Sequence, residues 1–208
     1  MYNDPEGPVR DFSIASSPTE EEIMISTRIR DTLYKKRLSS LEIGAKVKVS
    51  KPLGKFVLHD DNSKPAVLLS GGIGVTPFRS MIKYTTDKQL PMSIVMFDSN
   101  KNISNILCKE EFDECLDKNQ NLKIVYTITQ KEDDRQAASA IGVNKEWRGE
   151  IGRIDEMMIT KYLNDNEIMN SIFYICGPPG MVNAMKKMLQ ERLLIPKDRI
   201  RIEEFTGY

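Results

Sequence analysis

An α/β domain built on a parallel sheet, preceded by a shorter antiparallel β unit, is the fold class this sequence predicts. Two rhythms point to it. Residues 9–62 are short, loosely alternating runs broken by Pro and Gly, whereas from residue 63 onward compact apolar runs alternate with helical stretches. The second pattern builds a parallel sheet with right-handed crossovers. The length agrees: 208 residues hold one large domain or two small ones, at roughly 100–200 residues each. The predicted division is residues 1–62 and 63–208.

In the first unit, residues 10–16 form a short run ended by Ser17-Pro18, and residues 22–29 alternate as a second strand. Residues 32–41 read as a short helix or turn. Residues 46–49 have period two, valines inward and lysines outward, before Pro52-Leu53-Gly54 turns the chain into a strand at 56–58. In the second unit, strands are predicted at 66–69, 93–97, 122–127, 171–176 and 200–205. Helices are predicted at 77–86, 109–118, 154–163 and 181–193, the second with Phe112, Cys115 and Leu116 on one face. Residues 130–150, which include the charged run Lys131-Glu132-Asp133-Asp134-Arg135, read as a polar loop inside this domain.

Composition excludes several classes of function. The 30 Lys+Arg balance 30 Asp+Glu, so nothing attracts nucleic acid or an anionic membrane in general, and anion binding must be local. No apolar run approaches the length that crosses a bilayer. The first ten residues lack the basic start and apolar stretch of a secretory signal. Cys108, Cys115 and Cys176 are odd in number and irregular in spacing, which makes neither a disulfide framework nor a zinc site. A reducing cytoplasm is the expected compartment. His59 is the single histidine, which argues against a histidine metal centre or a Ser–His–Asp triad; no metal is expected.

The segment VLLSGGIGVTP sets Gly71, Gly72 and Gly74 between a buried strand and a helix. Glycine lets a ligand approach the backbone, and the helix that follows aims free N–H groups and its positive dipole end at the turn. Pro77 suits the first helical turn, which needs no N–H. The pattern is neither GxGxxG nor a P-loop, and Gly54-Lys55-Phe56 lacks the hydroxyl a P-loop requires. Alone, it is equally a tight turn without ligand. A second Gly/Pro corner, YICGPPGM, follows residues 171–176, and open α/β sheets bind ligands at such strand ends. Cys176 stands either at the mouth of that cleft or as a small buried hydrophobe. Cys108 and Cys115 are expected in the core.

Four segments, RDFSIASS, GGIGVTP, CGPPGM and the C-terminal EEFTGY, together resemble the ferredoxin–NADP reductase superfamily in their order and spacing. The resemblance implies two cofactors, FAD and NAD(P)H, and a flavin-dependent oxidoreductase. By it, Arg10 pairs with the FAD pyrophosphate, Phe12 stacks on the flavin where tyrosine is usual, and Ser13 bonds near the hydride-accepting nitrogen. Gly71, Gly72, Gly74, Thr76 and Pro77 form the NAD(P) pyrophosphate loop, with the Thr76 hydroxyl near the contact of the two rings. Cys176, Gly177, Pro178 and Met181 form the nicotinamide side. Phe205 covers the flavin and Glu203 is the acidic residue beside it, so Ser13, Cys176 and Glu203 carry the catalytic roles.

The same resemblance marks departures. Only nine residues precede Arg10, so the flavin barrel is expected to be partial and to retain FAD weakly. Thr32 and Lys35 stand where the family places a glycine and a serine; Lys35 or Lys36 adds charge to the phosphates, or both lie on a solvated basic face. Ser99 matches a coenzyme-selecting serine, but Asn100 replaces the usual arginine, which tilts the expectation toward NADH. The expected acceptor is a carrier protein, ferredoxin or another redox protein, or a small molecule. The alternative is a non-catalytic electron-transfer or nucleotide-binding subunit completed by a partner chain.

Overall fold

Six parallel strands frame this computed structural model, which describes residues 9–130 and 147–205. They are β1 (Ala66–Gly71), β2 (Ile94–Asn100), β3 (Leu122–Ile128), β4 (Glu150–Ile151), β5 (Ile172–Gly177) and β6 (Ile200–Glu204), in the spatial order β4-β3-β2-β1-β5-β6. Strand order therefore reverses between β1 and β5, the position where open α/β sheets form a crevice at their carboxyl ends. β1 is buried along its whole length, as a central strand covered on both faces must be.

Helices cover both faces. On one side α2 (Thr76–Asp87) and α3 (Lys109–Lys118) pack Phe78, Ile82 and Phe112 against Leu68, Met96 and Tyr174. On the other, α4 (Glu156–Tyr162), α5 (Asp165–Asn170) and α6 (Pro179–Glu191) pack Ile159, Val182 and Leu189 against Leu69, Phe97 and Ile175. The period of two along each strand sends alternate residues to these two cores. Each fully buried large side chain contributes about 1.5–3 kcal/mol.

The sequence anticipates the strands and helices of this domain closely, with three differences. α6 starts at Pro179 and so absorbs part of the CGPPGM corner into its first turn, where a proline's missing N–H costs nothing. α5 is an additional helix; a reciprocal capping box between Asn164 and Glu167 starts it. β4 emerges from the end of the expected 130–150 loop, whose residues 131–146 lie outside the described residues.

Residues 9–62 depart further. The short helix or turn expected at 32–41 does form, as the helix α1 (Leu33–Ser39) with Thr32 as its N-cap. The expected strands at 22–29, 46–49 and 56–58 build no ladder; among the described residues one antiparallel bridge, Ile14 with Ile25, joins this unit. Alternating valine and lysine dictate an extended backbone, but a ladder also needs neighbouring strands to pair with. Val47 and Val49 are accordingly 63% and 71% exposed.

Candidate functional site

β1 and β5 lie side by side with Ser70 opposite Cys176, so the two glycine corners open at the same end of the sheet and touch. A Cβ on Gly74 would stand 2.1 Å from the Cys176 carbonyl oxygen, and one on Gly71 would strike the Met181 sulfur at 2.2 Å and come 3.3 Å from Pro178 Cδ. Gly72 serves differently. It adopts φ +54 with nothing within 4 Å of its Cβ position, leaving its backbone open at the N-terminal end of α2, where amides and the helix dipole favour an anion. Pro77 occupies the first turn of α2. Ser99, half-buried on β2, is in register with Gly71 and borders the same opening.

The Thr76 hydroxyl is not turned toward the opening as expected. It is buried and donates to the Ile73 carbonyl at 2.6 Å, closing the 3₁₀ turn Gly72–Val75. Cys176 likewise is not at the cleft mouth: it is fully buried within the α2-side core. Burial, then the nearby Glu203 carboxylate, pushes its thiol pKa up, so it holds no thiolate nucleophile. Its position in the corner is kept; its side chain is the small buried hydrophobe.

β6 brings the C-terminal residues to this corner. Cys176 pairs with Glu203 and Gly177 with Glu204, and the Phe205 amide donates to the Gly177 carbonyl at 3.0 Å. Phe205 packs on the core cluster that contains Cys176. Ser13, from the start of the chain, donates from its hydroxyl to Glu203 Oε1 at 3.1 Å. Burial raises the Glu203 pKa, and this bond lowers it. Ser13, Glu203, Cys176 and Gly74 thus form one continuous line of contacts.

Arg10 and Phe12 of the RDFS segment pack on α1. The Arg10 guanidinium lies 4.8 Å from the Tyr34 ring centre, and the Lys35 ammonium 4.8 Å from the Phe12 ring centre, both within cation–π range. Lys35 also donates to the Thr27 hydroxyl. Its pKa is lowered by burial and by Arg10 and Arg30. Lys36 turns the other way and pairs with the exposed Asp31. Lys35 is thus part-buried against Phe12, and Lys36 lies exposed.

Beneath the opening, on the α2–α3 face, Asp98 is fully buried. It accepts from the Ser70 hydroxyl and, at 2.7 Å, from Asn100 Nδ2. Burial raises its pKa to about 6 against those two donors. Asn100 Oδ1 and the Tyr126 hydroxyl are buried near this strand end without a hydrogen-bond partner among the described residues. The polar spacing Asp98, Asn100 on a largely apolar strand is the sequence signal for this buried carboxyl. Sequence reasoning missed Arg79 altogether, a buried arginine on α2, because its partners Glu20 and Glu111 are 59 and 32 residues away. Among the described residues no cluster suits a metal ion, and no helix is long and apolar enough to cross a membrane.

Comparison with known proteins agrees with this architecture. The chain is 29% identical over 206 residues to Flavohemoprotein A of Dictyostelium discoideum, covering 95% of this chain and 47% of that protein. It is 29% identical over 215 residues to a component of the Na(+)-translocating NADH-quinone reductase of Marinomonas sp. (strain MWYL1), covering 96% and 49%. The chain thus spans about half the length of these relatives. Its fold matches the crystal structure of the FAD/NAD-binding domain of a nitric oxide dioxygenase from Vibrio cholerae O1 biovar El Tor with TM-score 0.77 at 19% identity, covering 94% of this chain and 76% of that one. The model of the oxidoreductase NAD-binding domain matches residues 68–187, and the chain belongs to that family.

Proposed function

We propose that this protein is a flavin-dependent NAD(P)H oxidoreductase, with residues 1–62 contributing to FAD binding and residues 63–208 binding the nicotinamide coenzyme. The observation that carries the reading is the contact line from Ser13 through Glu203 to Cys176 and Gly74. It joins the segment expected at a flavin to the corner expected at a nicotinamide.

The residues present fit both groups. The open backbone at Gly72 suits a pyrophosphate, and Arg10, Phe12, Tyr34 and Lys35 form a cationic and aromatic surface beside the Ser13 hydroxyl. When bound, the two cofactors supply hydride transfer and onward electron transfer. The chain orients them: Gly71, Gly72, Gly74 and Pro77 shape the phosphate turn, while Gly177, Pro178 and Met181 wall the nicotinamide side. Glu203 holds the Ser13 hydroxyl in place, and Phe205 screens the corner. Asn100 is buried against Asp98, which leaves no side chain reaching from that position to a 2′-phosphate and favours NADH.

The relatives' names join a flavin or NADH to haem and quinone chemistry, which supports a carrier protein, ferredoxin or another redox protein, or a small molecule as acceptor. The proposed compartment is the cytoplasm. The test is anaerobic addition of NADH to the purified chain with FAD in excess. Bleaching of the flavin absorbance at a rate that saturates with NADH supports the function; no acceleration over free FAD removes it.

One observation favours a second reading, a subunit completed by a partner chain. Residues 41–55 are exposed throughout, including Ile43, Val47, Val49 and Leu53, and none joins a ladder. Flavin colour gained only with an added partner would select it.

A further inference from the structure

Arg79 is 4% exposed and sits one helical turn after Thr76, at the start of α2. Its three nitrogens are all engaged. Nη1 donates to the Ala15 carbonyl at 2.9 Å and to Glu20 Oε2 at 2.9 Å, Nη2 donates to Glu20 Oε1 at 3.0 Å, and Nε donates to Glu111 Oε2 at 2.7 Å. Nη2 also forms an ion pair with Glu111. The fork of a guanidinium is the side chain able to make such a set at once.

The bonds join three different parts of the chain. Ala15 and Glu20 lie in the segment that follows Ser13, Glu111 lies on α3, and Arg79 itself lies on the helix that begins at the glycine turn. Neighbouring bonds reinforce the joint: the Ser80 hydroxyl donates to the Ser16 carbonyl at 2.7 Å, and the Thr19 hydroxyl donates to Asp87. Ala15, Ser16 and Ser17 are all buried there. Glu20 is held ionised by the Arg79 guanidinium, with a pKa lowered to about 2.

We infer that Arg79 is a positioning residue that fixes the distance between the Phe12–Ser13 segment and the Gly71–Pro77 turn, and so sets the geometry for hydride transfer. The inference rests on the proposed function for its chemistry and on the bond set for its geometry. Hydride transfer needs the reacting atoms held near contact, and a misplacement of about 1 Å costs about a hundredfold in rate. Coenzyme binding, by contrast, depends on the glycine turn and the backbone amides at the start of α2, to which the Arg79 side chain donates no bond.

The test is stopped-flow reduction of the protein with FAD in excess, comparing wild type, Arg79→Lys and Glu20→Gln. Lysine keeps the charge but not the fork. Glu20→Gln keeps the Arg79–Glu111 pair and alters a residue at the surface, so it carries the test if Arg79→Lys does not fold. Melting curves establish folding for each. The expected result is a limiting rate of flavin reduction lowered about tenfold or more, with the NADH dissociation constant within about threefold of wild type. Amide hydrogen exchange should also quicken in residues 10–17 and stay unchanged in β1. A folded variant with wild-type limiting rate, or one that loses rate and NADH affinity in equal measure, overturns the positioning role. A wild type that reduces no FAD overturns the proposed function instead, and the positioning role with it.

Discussion

Ser13 donates a hydrogen bond to Glu203 at 3.1 Å across a separation of 190 residues. Glu203 is held by β6, whose pairing with β5 sets it opposite Cys176. The bond is therefore a direct measure of how the beginning of the chain meets the corner after β5. It also acts on the carboxyl: burial raises the Glu203 pKa, and the Ser13 hydroxyl opposes that rise.

Replacing Ser13 by alanine removes that opposition. Ser13→Ala is expected to lower the limiting rate of flavin reduction on the order of a hundredfold, the scale of one preorganised donor. Any inflection in the rate profile belonging to Glu203 should move to higher pH. Stopped-flow rates across a pH series measure both effects. An unchanged rate and profile would detach this pair from the chemistry.

The two inner glycines of the turn should respond differently to alanine. At Gly74 the new methyl would meet the Cys176 carbonyl oxygen at 2.1 Å and Gly177 Cα at 2.8 Å. Both obstacles are backbone, so the Gly72–Val75 turn and β5 must shift apart, at a cost of about 3 kcal/mol or more. At Gly72 the space is open and the penalty is the left-handed φ, about 1–2 kcal/mol. Denaturant melts should rank Gly74→Ala below Gly72→Ala, whereas NADH affinity should suffer in Gly72→Ala through its intrusion on the open backbone. The reverse ranking in stability would contradict the backbone contact.

These contrasts show what the sequence made legible. The strand–glycine–helix order placed both corners, because a compact apolar run followed by Gly and Pro has few structural outcomes. The meeting of the chain's two ends was not stated by any of these motifs: Ser13 of RDFS and Glu203 of EEFTGY touch through β6. Side-chain direction was not legible. Thr76 turns to its own Ile73 carbonyl and Cys176 into the core, each decided by packing within a few ångströms. Arg79 was invisible because its partners are remote in sequence. The strands expected at 46–49 and 56–58 were misjudged because period two specifies an extended backbone but not a neighbour to pair with.

Cysteine reactivity follows from burial. Cys176 is fully buried and Cys108 half-buried, and both thiols have pKa values raised first by burial. In the native protein, iodoacetamide should modify Cys108 first and slowly, and leave Cys176 intact until unfolding. Mass spectrometry of timed digests reads the order. Early loss of Cys176 would show that the β5 corner opens in solution.

His59 provides a single-resonance test of the joint between residues 56–64 and the sheet. Its Nε2 lies 2.9 Å from the Lys64 carbonyl, which can only accept, so Nε2 carries the proton. Nδ1 then accepts from the Tyr174 hydroxyl at 2.9 Å, while the His59 amide donates to that same oxygen at 2.9 Å. Protonating Nδ1 would break this arrangement, and burial lowers the pKa in the same direction. As the only histidine, it should appear in nitrogen-detected NMR as the Nε2–H tautomer and titrate below the ordinary value of 6.5. The stability it contributes is present above pH 6.5 and is lost as pH falls through the lower folded-state pKa. An Nδ1–H signal, or titration above 6.5, would contradict the bonding.

Asp98 bears on stability with the opposite sign. Its folded pKa is raised from 3.8 to about 6 by burial. The unfolded chain therefore releases this proton first, and wild type loses stability as pH rises from about 4 through about 6. Asp98→Asn removes the buried charge yet keeps a partner for the Ser70 hydroxyl and the Asn100 amide, since its carboxamide both accepts and donates. The variant should exceed wild type in stability by on the order of 2 kcal/mol at pH 8, with the advantage shrinking as pH falls below 6. Comparing the two proteins at each pH cancels the opposing slope from His59, which both retain. Urea melts at pH 5 and pH 8 measure the difference. A variant less stable than wild type at pH 8 would show that the Ser70–Asp98–Asn100 bonds outweigh the cost of burying the carboxylate, and that the charge under the glycine turn stabilises the fold.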